Sequence, residues 1–378
     1  MRASMRIAVN TRFLLDGYQE GFGYFVYETF KRITKDHPEH EFIFIFDRPY
    51  DQRFVFGPNV IPVVTGPAAR HPLLWKLWYD VKVPAVLKKY KADIFVSCDS
   101  FCSLTTKLPQ VLVVHDLSFL HHPAFIKKSH LLFYKRYMPR FLSKAKSIVT
   151  VSEFSKADIS SHYKINPDKI DVVFSAVKEI FAPLNNEEKQ ETRNKYSGGR
   201  EYFVYAGAIH PRKNLINLLK AFSGFKKRQQ SNLKLLLAGR LAWKYESFIQ
   251  NLKTYKYRND VIMTGYIAEE ELVKVIGSAY ALVYPSFFEG FGVPVLEAMQ
   301  CNVPVITTIN SSMQEIAKMA ALYADANDYN DMADKMMRIY KDESLRNELI
   351  KKGKQIAPLY SWQKTADLLW QSILKAIN

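Results

Sequence analysis

The chain has 378 residues, 48% apolar and 24% charged, with 53 Lys and Arg against 37 Asp and Glu for a net charge of +16. That balance excludes a disordered or fibrous chain, and the length suits two domains, each able to bury its own core. Three cysteines, Cys98, Cys102 and Cys301, exclude a disulfide framework; they read as small buried apolar residues in a reducing compartment, with no second pair to complete a zinc site.

In chain order, short runs rich in Val, Ile, Phe and Tyr predict strands at 6–10, 41–46, 60–64, 92–97, 110–115, 147–152 and 171–174. A second series follows at 202–207, 233–239, 261–265, 281–286, 303–307 and 321–324. Several are continuously apolar (VLVV, KLLLAG, PVITT), as in parallel strands covered on both faces, and helical patterns separate them. The fold class is therefore α/β: two Rossmann-like, doubly wound domains facing a cleft. The polar stretch 183–199 between the series is the expected linker, with a short surface helix as the alternative for its centre. The expected division is 1–185, 186–360, and a C-terminal helix at 361–378 packing back on the first domain. No run approaches the ~18 apolar residues of a membrane span. The start, MRASMRIAVN, leads into a strand pattern without a secretory apolar region, so a cytoplasmic location is expected.

Ligands of such sheets bind beyond the C-terminal strand ends, beside helix N-termini. Four places there carry chemistry. In YPSFFEGFGVPVLE (284–297), Gly290 and Gly292 allow backbone N–H groups to approach an anion, and Pro294 marks a helix start. Glu289 in the loop and Glu297 in the first helical turn suit a vicinal diol; the alternative is a loop acid and a helix-dipole partner. In GAIHPRKN (207–214), Arg212 and Lys213 offer a planar fork and a point charge for phosphate, or merely a solvated basic turn. His115 ends VLVVH at a predicted strand tip. Gly21 and Gly23 precede a helical pattern, a fragment of a full dinucleotide fingerprint.

These motifs in this order resemble the family-4 retaining glycosyltransferases of GT-B fold. The resemblance rests on EGFGVPVLE, an E-x7-E pair, with AMQCNVPVITT behind it. GAIHPRKNL, TGYIAEEEL, VSEFSKADI, VHDL, SSMQEIAKMAALYAD and SWQKTADLLW extend it over nearly the whole chain from Arg6. It implies a C-terminal domain for a nucleotide-sugar donor, GDP- or UDP-linked, and an N-terminal domain for a saccharide or lipid-linked saccharide acceptor. It implies that Glu289 touches the donor hydroxyls and Glu297 the ribose. Arg212 and Lys213 would face the diphosphate with backbone N–H groups of Gly23 and Gly290–Gly292, Phe291 among them. Tyr266 and Ile267 would lie beside the base, and His115 would approach the transferred sugar. No metal and no cofactor is implied, in keeping with the lack of a suitably placed Asp-x-Asp. VHDLSFLHHP and PRKNL are similar to mannosyltransferase members. Two positions depart from the pattern: Ala208 where many members carry Arg, a role Arg212 would take over, and Asn302 for a usual Gly, with the left-handed turn kept.

Between Asp116 and Glu153 there is no acid but seven cations: Lys127, Lys128, Lys135, Arg136, Arg140, Lys144 and Lys146. Tyr134, Tyr137, Met138, Phe141 and Leu142 form a stripe beside them, in a helix that Pro139 is expected to kink or interrupt. Such a helix suits the anionic inner face of a membrane, as does the aromatic-basic stretch 73–91; the alternative is a packed helix with a solvated basic face. A nucleotide-sugar epimerase of the same fold is a second reading, without expectation of E-x7-E. A nucleic-acid-binding protein is a third, disfavoured because the charge is spread: 27 basic against 19 acidic residues up to position 190, and 26 against 18 beyond.

Overall fold

A computed structural model of the chain describes residues 4–15 and 21–377. It divides into two compact units, one running to Ser175 and taking in the C-terminal segment from Trp362, the other Ala176–Ser361. The first holds seven strands: β1 (Arg6–Asn10), β2 (Glu41–Phe46), β3 (Val60–Val64), β4 (Ile94–Ser97), β5 (Gln110–Val113), β6 (Ser147–Thr150) and β7 (Ile170–Val172). The second holds six: β8 (Tyr202–Ala206), β9 (Lys234–Ala238), β10 (Val261–Gly265), β11 (Ala281–Tyr284), β12 (Val305–Thr308) and β13 (Ala321–Ala324). Every expected apolar run carries a strand, six of the thirteen ending a residue or two early.

All pairings are parallel, and both sheets follow one plan: β3-β2-β1-β4-β5-β6-β7 and β10-β9-β8-β11-β12-β13. Each chain therefore starts mid-sheet, winds to one edge, and returns to build the other half. The reversal lies between β1 and β4 in the first unit and between β8 and β11 in the second, where a doubly wound sheet opens a crevice. β4, β5, β6, β8 and β11 are buried at every residue, which explains why their sequences do not alternate.

Three expectations need correction. The stretch read as a linker is the helix Asn186–Ser197, closed by a capping box between Asn185 and Glu188. It belongs to the second unit: Arg193 donates to the Ser278 carbonyl (3.2 Å), and Lys195 and Tyr196 meet Glu271 at 2.5 and 2.7 Å. The units accordingly divide between Ser175 and Ala176, before that stretch. Pro139 does not interrupt its helix, which runs from Lys128 to Lys144. It lies on the exposed side, where water can take the carbonyl its missing N–H leaves behind, while Phe133, Met138, Phe141 and Leu142 anchor the opposite face. The C-terminal helix Trp362–Ile377 packs on the helix Gly21–Asp36, with Trp370 stacked 3.9 Å from His37 and Gln363 bonded to Asp36 at 2.8 Å. The three cysteines are free and buried.

Candidate active site

The second unit gathers its candidate residues at the sheet reversal. Behind β8 the chain makes a tight turn, Pro211–Lys213, whose start is capped by His210 accepting from the Arg212 N–H at 3.1 Å. Asn214 follows in the left-handed conformation (φ 62°), and its amide donates to the carbonyls of Pro285 and Ala326 at 3.0 and 2.7 Å. That side chain ties the loop after β8 to the loop after β11, and so sets Arg212 and Lys213 beside Glu289.

The result is an ionic cluster that brings together motifs over seventy residues apart. Lys213 Nζ lies 2.6 Å from Glu289 Oε1 and 2.7 Å from the Tyr284 hydroxyl; Arg212 Nη1 lies 3.1 Å from Glu289 Oε2 and also bonds the Phe288 carbonyl. Burial alone would raise the Glu289 pKa, but Arg212 and Lys213 more than offset it and hold the carboxyl down at about 2. Ser311 accepts from the Glu289 N–H, and the Ser312 hydroxyl bonds the carbonyls of Glu289 and Phe291, each at 3.0 Å. Two cations thus meet one carboxylate in a largely desolvated place.

Glu297 stands in a different setting. Its helix starts at Val293 behind Gly292, so Glu297 is in the second turn and not the expected first. Gly292 has φ 104°, a conformation that favours glycine, and a Cβ there would push on the flexible end of Met313. Burial, with Lys178 opposing and Glu269 assisting, raises the Glu297 pKa to about 7. The two glutamates of the pair thus differ in charge over the pH range between these values. Phe291 is buried edge-on to Tyr360 at 5.5 Å, whereas Tyr266, just past β10, is 64% exposed beside the half-buried Ile267. Asn302 has φ 59°, the turn expected of it.

In the first unit, Gly23 lies in the first turn of the helix Gly21–Asp36, and a Cβ there would meet the Phe13 carbonyl oxygen at 2.3 Å. The close approach that the glycine permits is to the protein's own backbone. His115 sits beyond β5 with Nε2 3.0 Å from the Cys98 carbonyl, its ring against Phe22 and Phe25. Burial lowers its pKa, opposed by that carbonyl and by nearby acids, which favours the neutral imidazole.

Sequence reasoning missed a buried network at the first reversal. Arg12 Nε lies 2.5 Å from Asp99 Oδ2, Tyr79 donates to Asp99 at 2.6 Å, and Asn10 donates to the Tyr79 hydroxyl at 2.7 Å. It borders a cavity of about 260 Å³ lined by Arg12, Trp75, Phe101, His115, His130 and Tyr134 among others. The signal was an Arg two residues after a strand end and an Asp two residues after another; only the strand order makes them neighbours. Tyr284, on β11, was missed because a strand tyrosine reads as core.

Two family models match the chain: Glycosyltransferase Family 4 over residues 21–178 and Glycosyl transferases group 1 over residues 186–356. The chain is 29% identical over 299 residues to an O-antigen chain mannosyltransferase B of Escherichia coli, covering 78% of each. Among solved structures, WaaG, a glycosyltransferase of lipopolysaccharide biosynthesis, superposes with a TM-score of 0.77 at 14% identity, over 97% of this chain and 99% of that one. Anabaena Alr3699/HepE in complex with UDP-glucose gives 0.74 at 15%, over 98% and 99%. The structural likeness is one of fold; the two family models supply the activity class. The chain belongs to the glycosyltransferases, family-4-like in its first half and group 1 in its second, on the two-sheet GT-B fold.

Proposed function

We propose that the protein transfers a hexose, mannose from a GDP-linked donor, to a growing polysaccharide or lipid-linked oligosaccharide, with retention of anomeric configuration and without a metal at the donor. The observation that carries this reading is the Arg212–Lys213–Glu289 cluster at the reversal of the second sheet, where two adjacent cations can receive a diphosphate. The mannosyltransferase relative supports the choice of sugar.

When the anomeric bond breaks, charge develops on the departing diphosphate, and Arg212 and Lys213 stabilise it from fixed positions in a poorly solvated site. Taking the cations loosens their hold on Glu289, whose ionised oxygens then accept hydrogen bonds from donor hydroxyls. Glu297, able to donate when protonated, holds the ribose; Tyr266 and Ile267 flank the base. Backbone N–H groups of Gly290–Gly292 add to the anion site of the second unit. The acceptor hydroxyl attacks the face from which the diphosphate leaves and gives its proton to the departing oxygen. The cavity of the first unit, with Trp75, Phe101 and Tyr134 at its walls, is the seat for one acceptor residue.

The acceptor side is proposed to work at an anionic membrane surface. No helix among the described residues is long and apolar enough to cross a membrane. The helices Pro72–Leu77 and Lys128–Lys144 pack together through Trp75 and Phe133, yet leave Leu73 76% and Leu132 70% exposed. Exposed Leu77 and Val81 continue the apolar line, and Lys128, Lys135, Arg136 and Arg140 supply cations beside it. Apolar tips flanked by cations insert at an anionic interface, each cation near the surface adding about 1 kcal/mol.

A thermal-shift screen against GDP-, UDP- and ADP-sugars tests the donor. GDP-mannose is expected to stabilise by about 2.7 kcal/mol at 100 times its Kd, and Lys213→Ala to lose the shift. No shift with any nucleotide-sugar would overturn the donor reading. Sedimentation with vesicles tests the surface; equal pelleting with neutral and anionic lipid, or none, would sink it.

A further inference from the structure

Away from all these residues, the first unit brings three ligating side chains to one point. Asp158 and His162 are four apart on the helix Glu153–Tyr163 and share its face. His121 ends the short helix Ser118–His121 and reaches the same spot. Its Nε2 lies 2.9 Å from both Asp158 carboxylate oxygens, and His162 Nδ1 lies 3.0 Å from Oδ1. The ligating atoms lie within 4.8 Å of one another, with the Asp158 carboxylate buried and both imidazoles partly open to solvent.

The chemistry of this group is specific. An ionised carboxylate only accepts hydrogen bonds, so each imidazole nitrogen facing it must carry a proton, or one cation must replace both protons. Two imidazole nitrogens and one carboxylate are the donor set of zinc and its neighbours, unlike the all-oxygen sets of magnesium and calcium. Bonds of about 2.0–2.1 Å in tetrahedral array set ligand atoms about 3.3 Å apart: the two imidazole–carboxylate separations need open by only a few tenths of an ångström, and the two imidazole nitrogens, within 4.8 Å of each other, must meet the same spacing by rotation of the rings. The exposed side leaves room for a water as fourth ligand.

The position suggests what such an ion would do. In the first turn of the same helix, Ser155 donates to the His115 carbonyl at 3.3 Å. The segment from His115 to His121 therefore rests on this helix at both ends, by a hydroxyl at one and by the His–Asp–His group at the other. We propose that His121, Asp158 and His162 form a site for a divalent transition-metal ion, zinc before magnesium, which pins the segment carrying His115. Its role is structural and independent of the donor reading: it stands or falls whichever nucleotide the second unit takes.

The test uses the untagged full-length chain, stripped with EDTA and dialysed, titrated calorimetrically with zinc chloride and magnesium chloride alone. One zinc per chain and no magnesium binding are expected, with a rise in Tm as zinc is added. His121→Gln and His162→Gln should each weaken zinc by about 10–100-fold or more, since even residues behind the ligands cost that much. Circular dichroism shows whether the variants stay folded, and cobalt in place of zinc should give the visible bands of a tetrahedral site in the wild type alone. Zinc affinity unchanged in the double variant, or no zinc binding by the wild type, would overturn the proposal.

Discussion

The two sheets of this protein are built on one strand order, and each places an arginine and a carboxylate at its reversal point, yet the two clusters are different objects. In the first, Arg12 meets Asp99 one to one, with side-chain exposures of 5% and 2%. The remaining valences are filled: Arg12 Nη1 donates to the Ala69 carbonyl at 2.7 Å, and Tyr79 and Ser97 attend Asp99. In the second, two cations face one carboxylate, and Arg212 remains 23% exposed. A neutral, saturated pair fastens loops together. Two adjacent cations that stay partly open on a shared carboxylate can turn to an anion from outside. The same topology thus yields a clasp in one unit and a seat in the other, and the burial of the arginine separates them.

Breaking the clasp should have the largest effect. Arg12→Ala leaves Asp99 buried without its partner and is expected to cost about 3–5 kcal/mol of stability, read as a lowered midpoint in urea. The folded fraction should keep its affinity for nucleotide. A variant as stable as wild type would make Arg12 a ligand-facing group instead. Lys213→Ala in the seat should act the other way, lowering kcat by on the order of 10²–10³ with little loss of Tm. Near-normal turnover would remove Lys213 from the transfer step. Gly292→Ala, which forces a side chain into a left-handed position and against Met313, should destabilise by about 1–3 kcal/mol and weaken donor binding with it.

The smallest effect separates the two glutamates by pH. Glu289 has a lowered pKa, so its contribution to stability is complete above pH 4.5 and is lost as pH falls towards 2. Glu297 is raised from 4.5 to about 7: keeping it neutral in the folded state costs stability that is absent below pH 4.5, grows between 4.5 and 7, and is complete above 7. Glu297→Gln should therefore raise stability at pH 8 by on the order of 2 kcal/mol, and do nothing at pH 4. An equal shift in Tm at both pH values would contradict the buried, protonated Glu297.

Much of this was legible in the sequence. Short apolar runs located the strands, continuous where burial on both faces demands it, and Gly, Pro and the paired glutamates marked the loop after β11. Where reading failed, the missing information was three-dimensional. Residues 186–197 have almost no large apolar residue, so no pattern shows that they pack through Arg193 and Tyr196 onto a distant loop and helix. Proline at 139 signals a break, but whether its lost hydrogen bond matters depends on which face meets water. The site helix begins one residue before Pro294, because Gly292 is its cap, and that moves Glu297 from the end of the first turn into the second.

The sequence by itself determined the parallel α/β class, the two-unit division in outline, and the residue types of the site, since these follow from local periodicity and from backbone freedom at glycine. Only the tertiary structure decided partnership. That Arg212 and Lys213 hold Glu289, that Arg12 is spent on Asp99, and that His121 meets Asp158 and His162 all depend on strand order and loop ties such as Asn214. Ion pairs and hydrogen bonds act over a few ångströms, and separation along the chain does not encode that distance.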